Sequence, residues 1–215
     1  MITQDKPTMH YVKHILFTIA LSGCMSAQGN DKASDSQQLQ ALLQPISSLS
    51  AQFEQQVIDA NGLETQRAAG LLYLAQPNKL RWVVSEPMPQ QLISDGQTLW
   101  LYDEDLEQVV VQPVDSNIDS TPIMLFSGDL QRLNHTYSVL QTSKGVFELT
   151  PKKNDSLFAS IRLDFNDKIP TSLAMTDNLD QITRINLTNL SVNREIPADL
   201  FTFKIPDDTD VIRND

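Results

Sequence analysis

The chain has 215 residues, 40% of them hydrophobic and 20% charged, a composition that excludes collagen-like, coiled-coil and wholly disordered architectures. Its formal net charge of −11 argues against the basic stripe that binds nucleic acid. A single cysteine and three histidines rule out an internal disulfide scaffold and leave too few ligands for a zinc site of several Cys and His.

Residues 1–27 read as an export signal. Lys13 and His14 precede an apolar run from Ile15 to Leu21 that is too short to span a bilayer, and the small residues Ser22, Gly23, Cys24, Ser26 and Ala27 follow. Two cleavage readings stand: near Ser26 or Ala27, or before Cys24, because Leu21-Ser-Gly-Cys24 has the form of a lipobox whose cysteine becomes acylated. Either product is acidic and has no free thiol, which suits an oxidising compartment. Residues 28–35 form a polar tether, and residues 36–215 one domain.

The pattern predicts a short helix capped by Asp35 or Ser36, with Leu39, Leu42, Leu43 and Ile46 as one apolar stripe and Pro45 ending or bending it. From Ser50 the period changes to two. Ala51, Phe53, Gln55 and Val57 share one face and Gln52, Glu54 and Gln56 the other, and Asn61-Gly62 turns the chain into a return strand from Arg67 to Leu74. Further strands follow at Lys79–Ser85, Gln91–Ser94, Thr98–Tyr102 and Glu107–Gln112. Thr121-Pro122 predicts a helix start, followed by Ile123, Met124, Leu125 and Phe126, and Leu130–Leu133 predicts a second helical turn. Strands resume at Thr136–Gln141, Val146–Thr150, Phe158–Phe165, Thr171–Thr176, Ile182–Leu190 and Phe201–Ile205.

Short strands at this spacing predict a mainly β fold made of an antiparallel meander. A sheet this large curls, and either closes on itself or stays open with helices as a lid over an apolar cavity. No P-loop and no dinucleotide fingerprint occurs. His135 lacks a recognisable nucleophile beside it, and Asp103-Glu104-Asp105 reads as a solvated hairpin end. What remains is apolar: Leu80, Trp82, Trp100, Met124, Leu125 and Phe126 are either core or the lining of a cavity.

Several segments resemble the LolA family of periplasmic outer-membrane lipoprotein carriers, in family order. They are Leu49-Ser-Ala-Gln-Phe53, Gln76-Pro-Asn-Lys-Leu-Arg-Trp82, Ser94-Asp-Gly-Gln-Thr-Leu-Trp-Leu-Tyr102 with Glu107-Gln-Val109, Thr121-Pro-Ile-Met-Leu125, Phe147-Glu-Leu-Thr-Pro-Lys152 and Phe201-Thr-Phe203. The resemblance implies an unclosed half β-barrel with short helices as a lid over an apolar cavity. Leu80, Trp82, Trp100, Ile123, Met124, Leu125 and Phe126 would line it. It implies a monomeric carrier domain, without a cofactor or a reaction, that takes acylated lipoproteins from an inner-membrane ABC transporter and hands them to the receptor LolB. The family often has Arg at the position of Gln76, where it latches the lid, and Phe at that of Leu80. Two further readings follow: a lipobox-anchored, LolB-like receptor acylated at Cys24, and an exported hydrolase using His135 or acidic residues.

Overall fold

The computed structural model describes residues 33–114, 125, 130–153 and 156–214. Residues 1–32, with the export signal and Cys24, and residues 115–124 and 126–129, with Ile123, Met124 and Phe126, lie outside the described residues.

Helix α1 spans Asp35–Leu43. Its N-cap is Ser34, one residue before the predicted cap. The Ser34 hydroxyl accepts from the Gln37 N–H at 3.2 Å, while the Gln37 side chain accepts from the Ser34 N–H at 2.8 Å, a reciprocal capping box. The Asp35 carboxylate is thereby left to accept from the backbone N–H of Gln141 at 2.9 Å, pinning the start of α1 to a strand far along the chain. Leu39, Leu43 and Ile46 are buried and Leu42 is partly so.

Among the described residues twelve strands make one sheet: β1 (Ser48–Ile58), β2 (Glu64–Ala75), β3 (Lys79–Glu86), β4 (Gln90–Asp95), β5 (Thr98–Asp103), β6 (Gln108–Pro113), β7 (Tyr137–Ser143), β8 (Val146–Pro151), β9 (Phe158–Asn166), β10 (Ile169–Asp177), β11 (Ile182–Val192) and β12 (Asp210–Arg213). Their order is β12-β6-β5-β4-β3-β2-β1-β11-β10-β9-β8-β7. Two antiparallel meanders, β1 to β6 and β7 to β11, thus meet where β1 pairs with β11. The order does not return on itself, so the sheet is an unclosed, curled half-barrel with β12 and β7 at its edges. The chain between β6 and β7 passes from near one edge to the other and contains α2 (Leu130–Thr136).

Alternation along each strand separates two faces. On the inner face, Leu49, Phe53, Leu72, Leu74, Leu80, Phe147, Leu149, Ile161, Leu163, Leu173 and Ile185 join Leu39 and Leu43 of α1 and Leu133 of α2 in one buried cluster. Gly70 of β2 permits this packing at its tightest point. A Cβ there would stand 1.8 Å from the Val83 carbonyl oxygen and 2.9 Å from the Phe53 ring.

The C-terminal region departs from the expected strand at 201–205. Ala198–Phe201 is a 3₁₀ turn, and the alternation of Phe201 and Phe203 serves packing onto a sheet face instead of pairing in a ladder. Phe201 is buried, and the Phe203 ring lies 5.3 Å from Tyr102 and 6.3 Å from Trp100. The chain then runs on to β12, which pairs in parallel with β6 and has no counterpart in the sequence reading.

Candidate functional site

The register across β2, β3, β4 and β5 decides which predicted site residues share a face. Leu72 pairs with Trp82, Trp82 with Leu92, and Leu92 with Leu101, so these four stand on the inner side. Leu74 pairs with Leu80 and Leu80 with Ser94 on the same side. One residue out of phase, Arg81 pairs with Ile93 and Ile93 with Trp100 on the outer side. Leu80 and Trp82 therefore belong together, and Trp100 faces away from them, against Phe203.

The inner residues differ in how completely they are sealed. Leu80 and Phe53 are fully buried. Trp82 stacks on Phe53 with ring centroids 3.7 Å apart, yet it remains partly exposed, as do Val84 and Leu92 beside it. Leu125 also packs on this cluster while keeping part of its surface open. The result is a floor of buried apolar side chains under a layer of half-open ones. Such a surface takes up hydrocarbon by displacing water, with no directional bond to make or break. Sequence reasoning did not single out Phe53, Val84 and Leu92. Their alternation was visible, but their meeting with Trp82 depends on strand pairing.

A second opening lies beside α1. A cleft of about 590 Å³ is lined by Ala41 and Leu42 of the helix, Phe147 and Phe165 of the sheet, and Lys144 and Lys168 in two turns. Its rim is mixed, with Asp167, Gln38, Gln141 and Asn166 beside the two lysines, and it leaves one flank of α1 unsealed.

Gln76, exposed at the β2–β3 turn, donates from Nε2 to the Ile46 carbonyl at 2.7 Å, and its backbone N–H donates to the Ser47 carbonyl at 3.0 Å. It thus ties that turn to the link between α1 and β1. The Gln76–Pro77 peptide is cis. The one polar side chain buried among the described residues, Ser94, donates to the Asn78 carbonyl at 2.7 Å and accepts from the Gly96 N–H at 3.1 Å, fixing the neighbouring turns.

The acidic run serves the β5–β6 turn: Asp103 accepts from the Leu106 N–H at 3.0 Å, and Glu104 from the Gln91 side chain at 2.7 Å. His135 lies in α2. Among the described residues, no group of three or more His, Cys, Asp or Glu is placed to hold a metal ion, and no helix is long and apolar enough to cross a membrane.

The model of the family described as outer membrane lipoprotein carrier protein LolA matches residues 44–204. A protein named outer-membrane lipoprotein carrier protein from Chromohalobacter salexigens is 41% identical over 181 residues, covering 82% of this chain and 86% of its own. Relatives of the same name from Azotobacter vinelandii and Pseudomonas paraeruginosa are 35% and 36% identical. They cover 93% and 92% of this chain and 97% of their own length in each case.

Proposed function

Because the chain belongs to the LolA family of outer membrane lipoprotein carriers, we propose that it is a periplasmic chaperone that carries acylated lipoproteins, with their acyl chains held on the inner face of the half-barrel. The observation that carries this reading is the half-open apolar layer of Trp82, Val84, Leu92 and Leu125 over a buried floor. Leu80 lies in that floor, and on this reading Ile123, Met124 and Phe126, outside the described residues, join Leu125 as acyl-binding residues. Residues 1–27 direct export, residues 28–35 are a tether, and residues 36–215 act as one monomeric carrier domain. The donor is an inner-membrane lipoprotein-releasing ABC transporter and the acceptor is the receptor LolB. No bond is made or broken.

The energetics suit transport. Burial of an acyl chain gains about 0.8 kcal/mol per methylene, so several chains sealed in a rigid dry cavity would scarcely leave. A half-open surface takes up part of that area, and opening its cover uses some of the gain, which keeps release possible.

The test is release of a radiolabelled lipoprotein from inner-membrane vesicles by the mature protein. Trp82→Asp is expected to abolish release while the protein keeps its circular dichroism and its urea transition. Full release by the folded variant would remove the inner face from the mechanism.

A further inference from the structure

Six large apolar side chains are more than half exposed among the described residues, and all but Leu140 of β7, at 58%, collect at one end. Strand pairing places the β1–β2, β3–β4, β5–β6, β8–β9 and β10–β11 connections at one end of the half-barrel. Each carries one at or beside its tip: Leu63 at 65% exposure, Met88 at 57%, Leu106 at 69%, Leu157 at 63% and Leu179 at 80%. The opposite end is built differently, with Gly96-Gln97 and Lys144-Gly145 at the tips of two of its turns and the less exposed Ile169, at 44%, as the one aliphatic side chain of this kind beside a third. Scattered exposed leucines need no explanation, but five collected on one rim do.

Three of the tips are also held rigid by the same device. An aspartate at the strand end accepts the backbone N–H of the leucine: Asp59 from Leu63 at 2.9 Å, Asp103 from Leu106 at 3.0 Å, and Asp177 from Leu179 at 2.8 Å. At the other end Asp95 makes the same kind of turn, but the N–H it holds at 2.8 Å is that of Gln97. The turn chemistry therefore does not require a leucine, and its presence on one rim is separate from the fold's needs.

We propose that this rim is a docking surface for a protein partner whose face is basic and offers apolar sockets. The inference rests on the carrier reading and names the surface by which the carrier meets its donor or acceptor. Charge selects the occupant. The β5–β6 turn alone carries Glu104, Asp105 and Glu107, against Lys152 and Lys153 as the basic residues described in these turns. An anionic bilayer surface would repel such a rim, whereas a basic protein face is steered to it. Ordered apolar tips among solvated charges match the layout of a protein interface, where little entropy remains to be lost on binding.

The experiment uses the mature protein and two soluble probes from the same organism, the periplasmic domain of the lipoprotein-releasing transporter and the unanchored receptor domain. The variants are the five-fold Leu63→Ser, Met88→Ser, Leu106→Ser, Leu157→Ser and Leu179→Ser protein, and Asp105→Lys. All these side chains are exposed, so folding is retained. The expected result is at least about tenfold weaker binding of one probe by the serine variant, and a slower, less salt-dependent association by Asp105→Lys. Undiminished affinity of the serine variant for both probes overturns the proposal, and so does a wild type that binds neither. Binding of wild type, but not the serine variant, to phosphatidylcholine vesicles with the probes unaffected would assign the rim to a lipid surface and also overturn it. Retention of a radiolabelled lipoprotein already loaded on the protein is measured in parallel. Its loss in wild type would defeat the carrier reading, while its preservation in the serine variant confines any defect to the rim.

Discussion

Phe53 and Trp82 lie face to face on the inner side of the sheet, ring centroids 3.7 Å apart and planes 24° from parallel, and Gly70 of the strand between them makes the arrangement possible. Any Cβ at position 70 would overlap the Val83 carbonyl oxygen at 1.8 Å, so β2 and β3 would have to part or the Phe53 ring would have to move. Overpacking of this kind costs about 1–3 kcal/mol. Gly70→Ala is expected to lower the urea midpoint with an unchanged slope, and to change the Trp82 fluorescence through its disturbed contact with Phe53. An unaltered midpoint and spectrum would show that the backbone yields there without loss.

Gln76 holds the Ile46 carbonyl through one neutral hydrogen bond at 2.7 Å. Replacement by Ala removes the donor from a partly solvated carbonyl, an expected loss of about 0.5–1.5 kcal/mol. Gln76→Arg places a charged donor at the same carbonyl, and charge-assisted bonds are roughly twice as strong as neutral ones. If the link between α1 and β1 must loosen for acyl chains to enter, loading should quicken in Gln76→Ala and slow in Gln76→Arg. The measurement is the rate of lipoprotein release from membrane vesicles. Equal rates in all three proteins would limit Gln76 to a structural tie.

The Asp59 carboxylate is held below its ordinary pKa, chiefly by the backbone N–H of Leu63; desolvation opposes this as the next largest effect, and the side chain and backbone N–H of Asn61 and the N–H of Gly62 add weaker lowering. A group whose folded-state pKa is depressed contributes stability above its unfolded value near 3.8, and loses it as pH falls through the folded value. Asp59→Asn should therefore leave a protein less stable than wild type at neutral pH, with the two urea midpoints converging as pH falls from 3.8 through the depressed value. A difference that stays constant as pH is lowered well below 3.8 would mean the ionised carboxylate is not what secures this turn.

How far these features were legible in the sequence depends on their range. The strands from Lys79 to Gln112 were readable because alternation and the Asp95-Gly96 turn act within a few residues. The helix over Asp35–Leu43 was also readable, though its cap was misplaced by one residue. Asp35 and Ser36 are themselves good caps, and only the contacts of Asp35 with β7 and Ser36 with Asn134 explain why Ser34 takes the role. Phe201-Thr-Phe203 has the period of a strand, yet that period serves equally a segment lying on a sheet. The parallel pairing of β12 with β6 spans about a hundred residues and leaves no local trace. The leucine-tipped rim was beyond reach for the same reason, since only the sheet order brings those turns to one end.

The two tryptophans give the sharpest separation of cavity from scaffold. Both occupy alternating strands of similar composition, and the β4 register puts them on opposite faces: Trp82 pairs with Leu92, Trp100 with Ile93. Trp82 is half-open among apolar neighbours on the proposed acyl surface, whereas Trp100 meets Phe203 of the C-terminal segment on the outer side. Truncating a large aromatic costs about 3–5 kcal/mol where it is fully packed, and less in proportion to its exposure. Trp82→Ser and Trp100→Ser should therefore both lose part of that stability. Only Trp82→Ser should also fail to release lipoprotein at a temperature where both remain folded, because it alone places a hydroxyl where hydrocarbon is expected to lie. Trp100→Ser should instead loosen the C-terminal segment, read as faster hydrogen exchange over residues 198–213 with release preserved. Loss of release in Trp100→Ser with no change in that exchange would place the acyl chains on the outer face and reverse the assignment of the two sides of the sheet.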